Sequence, residues 1–324
     1  MRKRAAHSCQ LAAAAVAIVA LTAGVASAAT PPTATTGTAS QISYQSAALD
    51  GGANPEGTAT EVYFEYGTSK AYGSTSAPIP LAAGKATEAV TATVTGLAAF
   101  TKYDYRLVAV NTNGTVYGAN ATFTTLKIPL SLQIAATPDP ITYGGLLTVA
   151  GTLSGTGNGN RAVALQQNPY PYTGTFTQVG NSELTSATGA YSFTVPALEA
   201  STQYRVVTVA APSVISSVVS VTDSLQVTIH TRGLGKRGHL ATRFTGTVAP
   251  GTETDVKYAI QELFGTTWRL VGGGITANTT QNGLAHFSTV LHFKRAGFFR
   301  VFVGAVGGAN AESFSAPVAV RGYA

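Results

Sequence analysis

Apolar and polar residues alternate in short runs along most of the chain. Residues 191–195 read Tyr-Ser-Phe-Thr-Val, and residues 62–66 and 103–107 show the same period of two. Alternation of this kind, with β-branched and aromatic residues on one side, is typical of a strand that is buried on one face. In the 103–107 run we expect Asp104 and Arg106 to point outward.

Turn residues separate these runs, and patterns typical of a helix are nearly absent. Glycine, asparagine and proline cluster between the apolar runs at 54–57, 113–114, 158–160, 272–274 and 282–283. Many short strands with turns at this spacing are typical of β-sandwiches and barrels. The pattern predicts an all-β chain.

Three short motifs of the middle of the chain recur nearer its end at one constant offset of 95 positions. They are Gly-Thr-Leu/Val at 151 and 246, Ala-Leu/Ile-Gln at 164 and 259, and Tyr/Phe-Arg-Val at 204 and 299. A fourth segment, 189–193, matches 283–287 at an offset of 94. A fixed offset indicates a duplicated domain. We therefore predict three tandem β-sandwich domains, at 29–126, 127–222 and 223–324.

The first of these segments carries a longer motif. Residues 97–111 read Leu-Ala-Ala-Phe-Thr-Lys-Tyr-Asp-Tyr-Arg-Leu-Val-Ala-Val-Asn, followed by Asn-Gly at 113–114. Over residues 37–125 the chain resembles fibronectin type III domains, and in detail a secreted bacterial variant with Phe-Glu-Tyr-Gly-Thr at 64–68. Ala99 stands where the family usually has proline, and the segment has no tryptophan.

That resemblance implies a structural role for Tyr103, which matches the tyrosine-corner position of the family. The two later segments resemble bacterial immunoglobulin-like domains. This second resemblance implies spacer, adhesion or accessory binding modules and no activity.

The first 28 residues read as a secretory signal peptide. A basic start, Met-Arg-Lys-Arg, precedes an apolar run at 11–25 and an Ala-Ser-Ala site at 26–28. This order predicts export and cleavage after Ala28, with a retained anchor as the alternative. No second long apolar run follows, so we expect no membrane span in the mature chain.

Composition excludes several kinds of chemistry. Cys9 is the single cysteine, so the mature chain has no disulfide, thiolate metal site or cysteine nucleophile. The chain has 14 carboxylates, and Glu61 and Glu65 are expected on an outward strand face. No G-x-S-x-G, H-E-x-x-H or glycine-rich phosphate motif occurs. We predict a protein that is not an enzyme and has no cofactor.

Histidines are the remaining candidates for a metal site. The mature chain has four, all in the last predicted domain: His230, His239, His286 and His292. A zinc site is the alternative interpretation, but their spacing fits no usual ligand pattern. We expect exposed strand and loop histidines and no metal.

Charge is uneven along the chain. Residues 29–126 have four basic and six acidic side chains, whereas residues 224–324 have ten and four. We predict a flexible basic loop at 231–239 and a second basic point at 294–295, both able to contact a polyanion. The candidate residues are Arg232, Lys236, Arg237, Lys294 and Arg295. The alternative, which we favour for the loop itself, is a solvated turn that keeps a charge-poor protein soluble.

Exposed aromatic residues are the other candidate contact. Tyr170 and Tyr172 alternate with prolines at 169–174, a segment that reads as a loop because proline blocks strand pairing. They would stack on a sugar ring or a protein partner, or pack on their own sheet. Trp268 is expected to begin a strand and fill the core of the last domain.

These features favour a secreted, non-catalytic extracellular protein with a structural or adhesion-type role at the bacterial cell envelope. The alternative is an accessory carbohydrate-associated protein of extracellular polysaccharide degradation. Its partner is unknown; a cell-wall polymer, a polysaccharide or another envelope protein would fit, and nucleic acid is not expected.

Overall fold

The computed structural model describes residues 30–234, 240–251, 256–281, 283–293, 295–305 and 309–321. Every regular element in these ranges is a strand, as the alternating pattern predicts. The predicted signal peptide and its cleavage site lie outside the described residues. In the described part of the chain, no helix is long and apolar enough to cross a membrane.

The chain divides into two compact units, one ending at Thr125 and the other beginning at Leu126. The first unit contains one sandwich, and the second contains two. Each sandwich closes around its own hydrophobic cluster. The all-β prediction of tandem sandwiches is therefore confirmed.

The first sandwich packs a three-stranded sheet, β1-β2-β6, against a sheet with the order β4-β3-β7-β8. In the second sheet β5 also pairs with β3, and β9 with β7. Leu49, Val62, Phe64 and Leu107 are fully buried between the sheets. The strands are β1 (Thr33–Thr36), β2 (Ser46–Asn54), β3 (Thr60–Gly67), β4 (Ser74–Thr75), β5 (Ile79–Leu81), β6 (Glu88–Thr95), β7 (Lys102–Asn111), β8 (Gly114–Tyr117) and β9 (Ala121–Thr124).

The second sandwich packs β10-β12-β16 against β14-β13-β17-β18, with β15 on β13. Leu147, Val149, Leu165 and Val206 form the centre of its core. The strands are β10 (Ser131–Thr137), β11 (Ile141–Thr142), β12 (Leu147–Ser154), β13 (Ala162–Pro169), β14 (Thr177–Gln178), β15 (Glu183–Leu184), β16 (Ala190–Val195), β17 (Thr202–Thr208), β18 (Val219–Val221) and β19 (Asp223–Ser224).

The third sandwich packs β20-β22-β26-β25, with β21 on β22, against β24-β23-β27-β28, with β29 on β27. Phe244, Ile260, Phe299 and Val301 are fully buried. The strands are β20 (Gln226–Val227), β21 (His230–Gly233), β22 (Leu240–Ala249), β23 (Lys257–Phe264), β24 (Thr267–Ile275), β25 (Ala277–Gln281), β26 (Leu284–Phe293), β27 (Gly297–Val303), β28 (Ser313–Phe314) and β29 (Val318–Val320).

Strand register keeps the sequence offset for one set of repeated motifs and not for another. Gln166 pairs with Arg205, and 95 positions later Gln261 pairs with Arg300. The fourth motif does not follow its offset of 94, because Gly151 pairs with Tyr191 whereas Gly246 pairs with Phe287, 96 positions on. Strand β26 is longer than β16, so the matching turn glycines do not mark matching register.

Candidate binding surfaces

The predicted basic loop is partly a strand. Arg232 lies in β21, opposite Arg243 of β22. The amide of Leu234 donates to the carbonyl of Ala241 at 2.7 Å, so the pairing continues at least to residue 234. The prediction of a flexible loop was wrong for residues 231–233, because they form a strand paired with β22. Lys236 and Arg237 lie outside the described residues.

Arg295 has an acidic neighbour. Its Nε lies 3.9 Å from Oε1 of Glu262, and its guanidinium carbon lies 4.5 Å from the centre of the Phe264 ring. The Arg295 side chain is 64% exposed, whereas Glu262 is buried. A carboxylate therefore offsets part of the Arg295 charge. Lys294, its predicted companion, lies outside the described residues.

Glu262 and Arg295 line a cavity of about 560 Å³ in the third sandwich. Its other walls are Phe264, Val271, Leu291, His292 and Phe293. Sequence reasoning missed Glu262, although a signal existed. Tyr258, Ile260 and Glu262 alternate along β23, which places the carboxylate on the inward face of an otherwise apolar set.

Tyr170 and Tyr172 form an edge-to-face pair with ring centres 5.6 Å apart. Their exposed fractions are 38% and 37%. The amide of Tyr172 donates to the carbonyl of Pro169 at 2.9 Å, which closes a turn. Pro169 itself ends β13 opposite Thr202, so the predicted loop begins one residue later than expected. The pair remains a candidate aromatic contact.

Tyr103 lies inside the first sandwich. Its hydroxyl accepts a hydrogen bond from the amide of Ala98 at 2.9 Å. Its ring stacks on Phe123 with a centre-to-centre distance of 5.5 Å. This geometry ties the chain before β7 to the strand.

An arginine occupies the same place in all three sandwiches, on the sheet face that points away from the core. In each case its Nε donates to a side-chain oxygen on the directly paired strand. Arg106 donates to Glu65 at 2.7 Å. The other two pairs are Arg205 to Gln166 at 2.7 Å and Arg300 to Gln261 at 2.8 Å. The paired strand thus fixes the plane of each guanidinium.

Aromatic rings cover each of these guanidinium groups. The distances from the guanidinium carbon to the ring centre are 4.0 Å to Tyr117 and 4.7 Å to Tyr72 for Arg106, 4.2 Å to Phe176 for Arg205, and 4.0 Å to Phe314 and 4.4 Å to Trp268 for Arg300. These are cation–π distances. Burial lowers the pKa of Arg300. We call the three sets the arginine–aromatic surfaces.

Trp268 was expected in the core, and that prediction was wrong. It lies in β24, opposite Leu263, and belongs to the outward face beside Arg300. The hydrophobic cluster of the third sandwich is built instead around phenylalanines such as Phe244 and Phe299.

Asp104 lies on the predicted face of its strand but is not exposed there. It is on the outward face of β7 but is buried, because Asn120 covers it and donates its amide to Oδ1 at 2.8 Å. Oδ1 of Asn120 in turn accepts from the Tyr72 hydroxyl at 3.0 Å. This chain of bonds orients one of the two rings over Arg106.

Three histidines lie on one sheet face of the third sandwich. His230 pairs with Thr245, His286 with Thr247 and His292 with Ala241, all on the outward side of β22. Among the described residues no group of three or more possible metal ligands occurs. His239 lies outside those residues.

Comparison with known proteins gives structural likeness only. No family model and no curated protein matches the chain. The solved FN1-FN3 domains of chicken CNTN1 align with 90% of this chain and 99% of that chain, at 16% identity and a TM-score of 0.31. The solved domains A168-A170 from titin align with 90% of this chain and 99% of that chain, at 12% identity and a TM-score of 0.37.

A third solved structure is a tetra-tandem repeat in the extending region of a large adhesion protein. It aligns with 89% of this chain and 74% of that chain, at 12% identity and a TM-score of 0.31.

Proposed function

We propose that the protein is a secreted, non-catalytic extracellular protein with a binding role at the bacterial cell envelope. The proposal includes cleavage after Ala28 and three domains at 29–126, 127–222 and 223–324. Its non-catalytic part rests on the sequence, in which none of the nucleophile or metal-protease motifs occurs.

The observation that carries the binding role is the arginine–aromatic surface. Tyr117, which covers Arg106, is 52% exposed, and Phe314, which covers Arg300, is 44% exposed. Arginine and large aromatic residues are the types enriched at binding hot spots. A guanidinium already held by Glu65 or Gln261 loses less conformational freedom when a partner docks.

The alternative, an accessory role in polysaccharide degradation, has support of its own. The Tyr170–Tyr172 pair presents two half-exposed rings at one turn, which suits a sugar ring. If this role is correct, the purified protein should bind insoluble polysaccharide alone, and Tyr170→Ala with Tyr172→Ala should abolish that binding.

The test is cosedimentation of the secreted protein with envelope fragments of the producing cells. We expect binding, and we expect Tyr117→Ala combined with Trp268→Ala to weaken it. Tyr44→Ala is the matched control, because Tyr44 is also exposed in the first sandwich and belongs to none of the three surfaces. Equal sedimentation of the double variant and the control would contradict the proposal.

Export has a separate test. N-terminal sequencing of protein from the culture medium should begin at Ala29. Recovery of a form that retains Met1 in the membrane fraction would contradict secretion.

A further inference from the structure

Arg232 and Arg243 lie directly opposite each other on neighbouring antiparallel strands, and both are exposed. Opposed residues in such a pair have their Cβ atoms about 4.5–5.5 Å apart, and like charges there destabilise the sheet. The partner of Arg243 on its other side is Val290, so neither register neighbour brings a negative charge.

The sheet around this pair has no acidic residue. None of its five strands, β20, β21, β22, β25 and β26, contains aspartate or glutamate. Phe244 and Val248 are fully buried, which places Arg243, Thr245 and Thr247 on the outward side of β22. His230 and His292 lie on the same side. The outward face is therefore basic and carries no compensating carboxylate of its own.

We infer that this outward face, defined by His230, Arg232, Arg243, Ser288 and His292, is a docking surface for an acidic polysaccharide. The inference rests on the proposed binding function and names its ligand class. It places the polyanion contact on the paired strands β21 and β22 and not on the predicted loop, and it adds Arg243, which sequence reasoning did not select.

Charge complementarity favours a polymer with closely spaced anionic groups. Two guanidinium groups on adjacent strands can share one sulfate or bind two neighbouring carboxylates, which relieves their mutual repulsion. Thr245 and Ser288 are paired beside them, and their hydroxyls can bond to sugar hydroxyls.

The same face lacks what single-stranded nucleic acid would need. Phe244, Phe287 and Phe293 belong to the inward side, and no Phe, Tyr or Trp occupies an outward position in the described parts of β21, β22 and β26. Bases bound without sequence preference usually stack on aromatic side chains. An acidic polysaccharide needs no such platform.

The test is salt-gradient elution of the full mature chain from immobilised heparin. The variant is Arg232→Ser with Arg243→Ser. The matched control is Lys257→Ser with Arg269→Ser, which removes the same charge from exposed positions on the other sheet of the same sandwich. We expect the variant to bind about tenfold more weakly at low salt, and the control to elute close to the wild type.

A thermal unfolding measurement separates lost binding from lost folding. Because the variant removes a like-charge pair, its melting temperature at low salt should equal or exceed that of the wild type. Equal elution of the variant and the control would overturn the inference, as would tighter binding to single-stranded DNA than to heparin. If heparin binding is absent but envelope cosedimentation persists, this inference fails and the proposed function stands.

Discussion

The side-chain amide of Asn310 donates to the buried carboxylate of Asp223 at 2.6 Å. Asp223 lies where the second sandwich leads into the third, and Asn310 belongs to the third. Two backbone hydrogen bonds lie beside this pair. The amide of Ala311 donates to the carbonyl of Asp223 at 2.6 Å, and the amide of Ser201 donates to the carbonyl of Ala309 at 2.9 Å. The two sandwiches are thus joined by a hydrogen-bonded junction.

Burial raises the pKa of Asp223 to about 6, and the bond from Asn310 opposes that shift. Oδ1 of Asp223 is buried without a hydrogen-bond partner among the described residues. The folded-state pKa lies above the ordinary value of 3.8. The folded junction therefore binds a proton more readily than the unfolded chain does, and its stability rises as pH falls from above 6 toward 4.

We predict that Asp223→Asn stabilises the second compact unit at about pH 8 and flattens the dependence of stability on pH between about 8 and 4. The gain at the higher pH should be at most about 3 kcal/mol, the free energy that corresponds to a pKa of about 6 in place of 3.8. Urea unfolding, followed by the fluorescence of the single tryptophan, measures both effects. Glu183→Gln, which neutralises an exposed carboxylate, should leave the pH dependence unchanged. If the variant kept the wild-type dependence of stability on pH, Asp223 would not be the source of that dependence.

Tyr103→Phe tests the role proposed for that tyrosine. Removing the hydroxyl leaves the amide of Ala98 without its hydrogen bond, so the free energy of unfolding of the first sandwich should fall by about 1–3 kcal/mol. Thermal unfolding of the protein measures the loss. Tyr44→Phe removes a hydroxyl from an exposed ring and should have little effect. An unchanged melting temperature for Tyr103→Phe would mean that the bond adds nothing to stability.

The strands could be predicted from the sequence because burial of one face leaves an alternating pattern. Val62 and Phe64 are buried and Glu61 is exposed, as that pattern requires. The side chains that cover the outward face of a sheet leave no alternating pattern in the sequence. Asp104 is covered by Asn120, and Arg106 by Tyr72 and Tyr117, through contacts that depend on strand pairing and on loops.

The arginine–aromatic surfaces illustrate the same limit. In the second and third sandwiches the two motifs that carry the paired glutamine and arginine are visible as repeats. Only the register shows that these side chains meet. Strand β24, which contains Trp268, likewise has no alternating burial, so the hydrophobicity of Trp268 alone suggested the core.

Gly246 is a repeated glycine whose role the packing explains. A methyl group there would overlap the carbonyl oxygen of Thr228 and the ring of Phe287. Because backbone cannot move aside cheaply, Gly246→Ala should destabilise the third sandwich by about 3 kcal/mol. Gly304→Ala is the matched control, since a methyl group at Gly304 meets nothing within 4 Å. Chemical unfolding should separate the two variants, and equal midpoints would contradict this packing argument.

The three arginine–aromatic surfaces differ in the residue that accepts the arginine's hydrogen bond, and this difference can be tested. Glu65 accepts from Arg106 at 2.7 Å, and Gln166 accepts from Arg205 at the same distance. A neutral amide therefore holds the guanidinium as closely as a carboxylate does. Glu65→Gln should then lower the stability of the first sandwich by less than about 1 kcal/mol, the usual worth of a partly exposed ion pair.

The same change should lose its effect in about 1 M salt, which screens the charge but not the hydrogen bond. Glu61→Gln is the matched control for the loss of charge, because Glu61 lies four residues away on the same face of β3 and is exposed. Arg106→Leu should cost more than Glu65→Gln, because it removes the cation from both Tyr72 and Tyr117 and leaves Glu65 without its donor. If Glu65→Gln instead cost several kcal/mol at both low and high salt, the acid itself would be holding Arg106 in place, and the amide pairs of the other two sandwiches would need a different explanation.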